Sequence, residues 1–396
     1  MAKIKYKLAI ILAAVILAGG AVFVYFTQYA PLKLDEPAEI EIWYAKNAMS
    51  ADIDSFVERF NSEDGADRQV TAEVREFEND RAVLEAINAA AENDGELPDV
   101  VMCDANICAY LQSIGKLAEL ESYIQSCGCG EYEKGISKSC TYKGETVCVP
   151  VAYEMDVLVV NTKLYDRADN IASFEELCDV ANDYYDENKA SFFTITDYSA
   201  FFNSAMAQLG EKFKAENPFD YENENVRYIY DCLATAAFKR GYTAVTDNPA
   251  TLVAKGELAC AVVSTSQAMA AAEALEKSDI EFFPVPVMES GDAVCVSKVT
   301  GITILKSDSN TEKGAAIFLN WFTSDAVNSE YVGYSGFVPA NSVILSYDSA
   351  PWKIYSDLMK ALKPVEFCSY NANPDYAVNC YEFNSIMDNI MKKSLS

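Results

Sequence analysis

Residues 39–61, "EIEIWYAKNAMSADIDSFVERFN", open on a period of two and close on a helical period. Ile40, Ile42 and Tyr44 alternate with Glu41 and Trp43, which predicts a strand over 39–44. Ile53, Phe56, Val57 and Phe60 then recur at helical spacing behind Ser50, an N-capping residue type, and predict a helix over 51–61. The exchange of periods continues. Val70, Ala72 and Val74 alternate in "RQVTAEV", and Val83, Leu84, Ile87 and Ala91 share one helical face in "DRAVLEAINAAAE". "LPDVVMCDAN" reads as a third strand and "ICAYLQSIGKL" as a third helix. A second series follows: strand "MDVLVVN", helix "SFEELCDVANDYYDE" opened by Ser173, and strand "SFFTIT". Asn248-Pro249 opens a short helix that Gly256 ends, and "LACAVVS" is a further strand. Strands alternating with helices predict parallel sheet covered by helices, an α/β architecture.

One apolar run fits neither period. Lys3, Lys5 and Lys7 precede an uninterrupted apolar stretch from Leu8 to Phe26. A charged start followed by such a run is an export signal. At ~19 residues it is also about long enough to span a bilayer. The lysines would stay inside and everything after residue 30 would lie outside. Leu17-Ala18-Gly19-Gly20 is similar to a lipoprotein cleavage box, but Gly20 stands where the lipidated cysteine belongs. Small residues there allow cleavage, while the apolar continuation from Ala21 to Phe26 favours an uncleaved anchor. Residues 1–30 are thus a signal peptide or membrane anchor, and 31–38, with two prolines nearby, a linker.

Charge narrows the partners. With 60 acidic residues against 31 basic ones the net charge is −29, so a nucleic-acid partner, which needs a basic footprint, is not expected. Histidine is absent, which excludes His-rich zinc sites, Ser-His-Asp and Cys-His nucleophiles, and an imidazole switch. Twelve cysteines in an exported chain suggest disulfides. Cys127, Cys129, Cys140 and Cys148 crowd into "CGCGEYEKGISKSCTYKGETVC", a poor match to paired CxxC zinc ligands and a better one to loop disulfides. Cys103, Cys178, Cys232, Cys260 and Cys295 sit in apolar contexts and suit a core. No metal or cofactor is implied.

Five passages in order resemble one family. They are "GELPDVVMCDAN", "YKGETVCVPVAYEMDVLVVNTKLYDRA", "IASFEEL", "PATLVAKGELACAVVSTSQAM" and "TEKGAAIFLNWFTSDAVNSEYVGYSGFVPANS". Together they are similar to the extracellular solute-binding proteins of ABC importers, in the sugar-binding group that includes maltose-binding protein. The likeness runs from about residue 39 to the end. It implies two α/β lobes with discontinuous sequence, 39–154 with 287–337 and 155–286 with 338–396, closing on a ligand between them. The chain would cross near Tyr153–Asp156, Phe282–Pro286 and Gly336–Asn341.

The resemblance also implies a binding site. The carboxyl end of the first strand would face the cleft, where rings stack on sugar faces and polar neighbours bind hydroxyls. Trp43 and Tyr44 point to opposite faces of that strand, so one is expected in the core and the other on the cleft wall. Lys46 and Asn47 follow as donors in the turn, with a solvated loop as the alternative. Asp104 and Asn106 belong to the "CDAN" loop and Glu154 to the first crossing, where a carboxylate accepts vicinal hydroxyls; helix capping is the other role open to Asp104. Asp197, Tyr198, Ser264, Thr265 and Ser266 would come from the second lobe, Tyr334 from the third crossing and Tyr370 from the last helical region. Two positions that often carry stacking rings in sugar binders are here Cys103 and Ser266, which implies a smaller or more polar site.

The function so implied is capture of a small extracellular solute, a sugar first of all, and its delivery to ABC permease subunits from the outer face of the cell membrane. A tethered sensor on the same fold, and a secreted hydrolase, are the rival readings. No nucleophile elbow, P-loop or singled-out carboxylate pair supports an enzyme.

Overall fold

The computed structural model describes residues 32–46, 53–92, 95–124, 132, 135–244, 248–275, 279–335, 337–341, 358, 360, 362–363, 365–368 and 370–394. The apolar run at Leu8–Phe26, the Ser50 cap, Asn47, Cys127 and Cys129 lie outside them, as do the side chain of Tyr334 and Gly336. Among the described residues no helix is long and apolar enough to cross a membrane.

The first series runs β1 (Ala38–Ala45), α1 (Ile53–Ser62), β2 (Val70–Phe77), α2 (Asp80–Glu92), β3 (Val100–Asp104) and α3 (Ala105–Ser113), and then β4 (Val149–Glu154). The second begins with β5 (Asp156–Asn161), α4 (Phe174–Asn188), α5 (Tyr198–Gln208) and α6 (Glu224–Phe238). It continues with α7 (Pro249–Lys255), β6 (Cys260–Ser264), α8 (Thr265–Leu275) and β7 (Ile280–Phe283). The chain then makes β8 (Val294–Val296), β9 (Lys298–Ile304), α9 (Ser309–Phe322), α10 (Asp325–Ser335) and β10 (Val338–Pro339). It ends with β11 (Glu366–Cys368) and α11 (Pro374–Ser394).

Helix starts are chemically explicit. Ser173 accepts a hydrogen bond from Glu176 N at 3.2 Å, and Asn248 accepts one from Ala250 N at 3.0 Å ahead of Pro249. Such caps satisfy backbone donors that the first turn leaves free. Gly256 closes α7 at φ 76°, in the left-handed region that glycine enters without a Cβ penalty.

Six strands form the first sheet in the order β10-β4-β9-β3-β1-β2. The β2-β1-β3 part is parallel, and β9, β4 and β10 are joined antiparallel. Both faces are covered. Ile40, Ile42 and Tyr44 pack with Phe56, Phe318 and Tyr331 on one face, while Trp43 joins Val83, Ile87 and Val101 on the other. The second sheet has the order β6-β5-β7, antiparallel throughout. Leu158 and Val160 pack under α4, α5 and α6, and Val157 and Val159 under α7 and α8. "SFFTIT" makes only single bridges, Phe193 with Tyr242 and Ile195 with Val262, instead of the expected strand. Its ladder is interrupted because Phe192 N bonds Gly241 O while Thr196 N bonds Val262 O, two different neighbours.

The expected lobe boundaries shift in three places. Residues 287–296, expected with the first sheet, stay against α5: Met288 N donates to Gln208 Oε1 at 2.9 Å and Val296 N to Ser204 Oγ at 3.1 Å. Met288 is fully buried there, which holds the segment down. Val338–Pro339, expected with the second sheet, pairs with β4 in the first. Helix α11 belongs to neither alone, since it packs on α3 as well as on α5 and α6.

The expected disulfides are not present among the described residues: ten cysteines are free thiols there. Cys103, Cys108, Cys148 and Cys140 instead form a buried chain of thiol contacts between β3, α3 and the start of β4. Gly301 of β9 makes room for it, because a Cβ at that position would lie 2.7 Å from Cys148 Cβ.

Candidate functional site

Only Met155 separates β4 from β5, yet the two strands belong to different sheets. Apolar side chains bury both strands, so the polar positions Glu154 and Asp156 fall at the step between them. Two cavities open beside this step. One is lined by Asp104, Asn106, Asp197, Lys298, Tyr370 and Asn384. The other, of about 250 Å³, is lined by Glu154, Asp156, Asp197, Ser264, Lys298 and Asn384. Lys298 comes from the first sheet and Asp156 and Ser264 from the second, so the second cavity lies between the sheets, whereas the first lies between Asp104 and Lys298 of the first sheet and the start of α5 at Ser199 and Ala200.

Secondary structure positions these groups. Asp104 ends β3 and caps α3, its Oδ1 accepting from Asn106 N at 2.7 Å and Asn106 Nδ2 at 2.9 Å. Asn106 Oδ1 in turn accepts from Asn373 N at 2.9 Å, which ties the first sheet to the segment before α11. Lys298 opens β9, with Nζ 2.9 Å from Asp80 Oδ2 and 3.9 Å from Asp104 Oδ2. Burial works against its charge, but Asp80 and Asp104 outweigh that and hold the ammonium protonated well above the usual range. Burial pushes the Asp104 carboxyl up, and Lys298 pulls it back.

Asp197 caps α5. Its Oδ1 accepts from Ser199 Oγ at 2.6 Å, Ala200 N at 3.0 Å and Asn384 Nδ2 at 2.9 Å. Glu154 Oε1 accepts the Ser266 hydroxyl, and Ser266 Oγ lies 3.1 Å from Ser264 Oγ. Asp156 is different. It is 8% exposed, and its Oδ2 has no hydrogen-bond partner among the described residues. Burial first, then Asp197 and Glu154, push its carboxyl well above the usual carboxylate range.

Of the sequence-predicted residues, Asp104, Asn106, Glu154, Asp197, Ser264 and Tyr370 meet at these cavities. Tyr370 is half-buried, with the Lys212 ammonium 5.3 Å and the Lys138 ammonium 6.0 Å from its ring centre. Five residues are corrected to the interior. Trp43 packs against Phe77 with ring centres 5.1 Å apart, and Tyr44 receives a hydrogen bond from Tyr331 at 3.4 Å. The expected split between core and cleft wall fails because helices cover both faces of β1. Tyr198 is hydrogen-bonded to Tyr242 inside the second core. Thr265 is fully buried where its N–H bonds Met155 O at 3.0 Å. Ser266, 2% exposed, acts on Glu154 from behind. Lys46 lies outside both cavities, paired with Glu76 at 2.8 Å.

The structure adds Asp80, Asp156, Lys298 and Asn384 to the site. Asp156 had a signal: it is the one charged residue between the apolar runs "VPVAY" and "VLVVN" other than Glu154. Lys298 was hidden by the misplaced second crossing, which falls at Ser297 instead of at Phe282–Pro286.

Comparison with known proteins fits this geometry. The family model described as bacterial extracellular solute-binding protein matches residues 55–360. Compared with curated protein sequences, the chain finds no match. Among solved structures it is similar to the GacH receptor of Streptomyces glaucescens, solved unliganded and with acarbose, at 16% identity and TM-score 0.72, covering 91% of this chain and 94% of that one. It is similar to the cyclic alpha-maltosyl-1,6-maltose binding protein of Arthrobacter globiformis at 16% identity and TM-score 0.69, covering 91% and 95%. It is also similar to the spermidine/putrescine substrate-binding protein PotD of Streptococcus pneumoniae at 13% identity and TM-score 0.65, covering 90% and 99%. The fold is therefore the two-lobed α/β fold of these binding proteins, and the chain belongs to the bacterial extracellular solute-binding proteins.

Proposed function

We propose that the protein captures one small extracellular solute between its two lobes and delivers it to the permease subunits of an ABC importer. The observation that carries this reading is the polar cavity at the Met155 step, walled by side chains from both sheets, with a second polar cavity next to it between the first sheet and α5. A solute seated there contacts both lobes at once, so its binding favours the closed arrangement over the open one. The lobes are best drawn as 38–154 with 297–341 and 155–296, with α11 bracing the two. Asp104, Asn106, Glu154, Asp156, Asp197, Ser264, Lys298 and Tyr370 are the ligand-facing groups in this reading.

A carbohydrate is the first ligand class, supported by the GacH receptor with acarbose and by the cyclic maltosyl-maltose binding protein. The lysines at 3, 5 and 7 and the apolar run Leu8–Phe26 support an outer-face location with the N-terminal segment as tether. The test is a thermal-shift screen of the full chain against sugars, polyols, amines and amino acids. A ligand at a hundred times its dissociation constant stabilises the fold by about 2.7 kcal/mol. A shift by one solute class that is recovered chemically unchanged supports capture. Turnover of the solute contradicts it.

A further inference from the structure

The cavity of about 250 Å³ beside Met155 has more carboxyl groups on its wall than ammonium groups to pair with them. Among the described residues three carboxyl groups, those of Glu154, Asp156 and Asp197, share its wall with a single ammonium, that of Lys298. That ammonium is already committed, to Asp80 at 2.9 Å and Asp104 at 3.9 Å. Asp197 is occupied by three donors on Oδ1, and Glu154 takes the Ser266 hydroxyl. Asp156 stays open: the residue is nine-tenths buried and lines the cavity, and its Oδ2 has no hydrogen-bond partner among the described residues.

An open buried acceptor marks a group that something else completes. A neutral hydroxyl would fill the lone pair of Asp156 but leave the field of three carboxylates in place. An ammonium fills the lone pair and offsets the field, and charge-assisted bonds to carboxylate are the stronger kind. The wall also lacks what a neutral sugar ring uses for grip. No aromatic ring lines this cavity among the described residues, and Trp43, Tyr44 and Tyr198 are in the interior. The size suits a small solute, since sites for drug-sized ligands run to roughly 300–1,000 Å³. The net charge of −29 draws cations toward the molecule from a distance.

We propose that the cavity at the Met155 step binds the primary ammonium group of a small amine-bearing solute, with Asp156 Oδ2 as the acceptor and Glu154 as its partner. The inference rests on reading the space between the lobes as the solute site. A free amino group on a sugar and a short aliphatic diamine present the same ammonium, and the assay separates them.

Calorimetric titration of the full chain uses four probes: glucosamine, putrescine, glucose and N-acetylglucosamine. Glucosamine or putrescine is expected to bind at least 10-fold more tightly than either neutral sugar. Binding of glucosamine alone assigns an aminated sugar, and binding of putrescine alone a diamine. Asp156→Asn is expected to weaken the amine at least 10-fold, and Glu154→Gln provides a second variant in which the cavity shape is kept. Glucose bound as tightly as glucosamine, or an amine affinity unmoved in both variants, overturns the inference while leaving solute capture in place. Absence of heat from both amines overturns it too. Capture itself falls only if the wide solute screen is also silent.

Discussion

Asp156→Asn is expected to make the ligand-free protein more stable while removing a ligand acceptor. Asp156 is 8% exposed, its Oδ2 is unpartnered among the described residues, and burial together with Asp197 and Glu154 raises its carboxyl pKa well above the usual carboxylate range. The other titratable groups around it are Cys295, whose Sγ lies 4.0 Å from Asp156 O, and Lys298 across the cavity. A carboxyl with a raised folded-state pKa binds more protons folded than unfolded. Its contribution is therefore most favourable below the unfolded pKa and is lost as pH rises from there through the folded pKa. Each unit of that rise is worth about 1.4 kcal/mol once the pH exceeds the folded value. The general cost of a buried polar group without a partner, about 1–3 kcal/mol, sets the same scale.

Asparagine keeps the shape and removes the charge. The variant should match the parent near pH 4 and gain about 1–3 kcal/mol by pH 8, at roughly 1–2 °C per kcal/mol in a chain of 396 residues. Calorimetric melts of both proteins from pH 4 to 8, without ligand, measure the difference. A variant that melts lower at pH 8, or a gap that does not change with pH, refutes the reasoning.

Two further predictions follow from the packing. Gly301→Ala would place a methyl 2.7 Å from Cys148 Cβ and push into the thiol chain, so a loss of about 1–3 kcal/mol is expected in denaturant titration, and an unchanged midpoint contradicts the close approach. The unreduced chain, unfolded in guanidinium with a thiol reagent, should react at ten or more cysteines. Four or fewer would mean that the cysteines pair in disulfides after all.

The local reading of the chain succeeded where one short-range force decides. Alternation placed β1, and the side chains of Ser173 and Asn248 marked helix starts, because caps and periods are properties of a few adjacent residues. Long-range cover was less legible. The period of two put Trp43 and Tyr44 on opposite faces, but nothing nearby in sequence says that α2 covers one face and α1, α9 and α10 the other. Met288 and the 287–296 segment look like a return to the first sheet until Gln208, some 80 residues earlier, is seen to hold them. The thiol chain gathers Cys103, Cys108, Cys140 and Cys148 from separate elements, so spacing alone suggested a loop. The site shows the same division. Asp104 and Asp197 were found as loop residues at strand and helix ends, whereas Lys298 and Asp80 are legible only as a pair brought together across 218 positions.

Capture of a solute between the lobes is tested most directly by hydrogen exchange on the full chain, with and without the best solute from the thermal screen. Bound solute is predicted to slow exchange together at 104–106 and 297–299 in the first lobe and at 154–156 and 197–200 around and beyond the step, because one ligand then bridges both walls. Protection confined to one lobe, or located away from the Met155 step, would contradict the account.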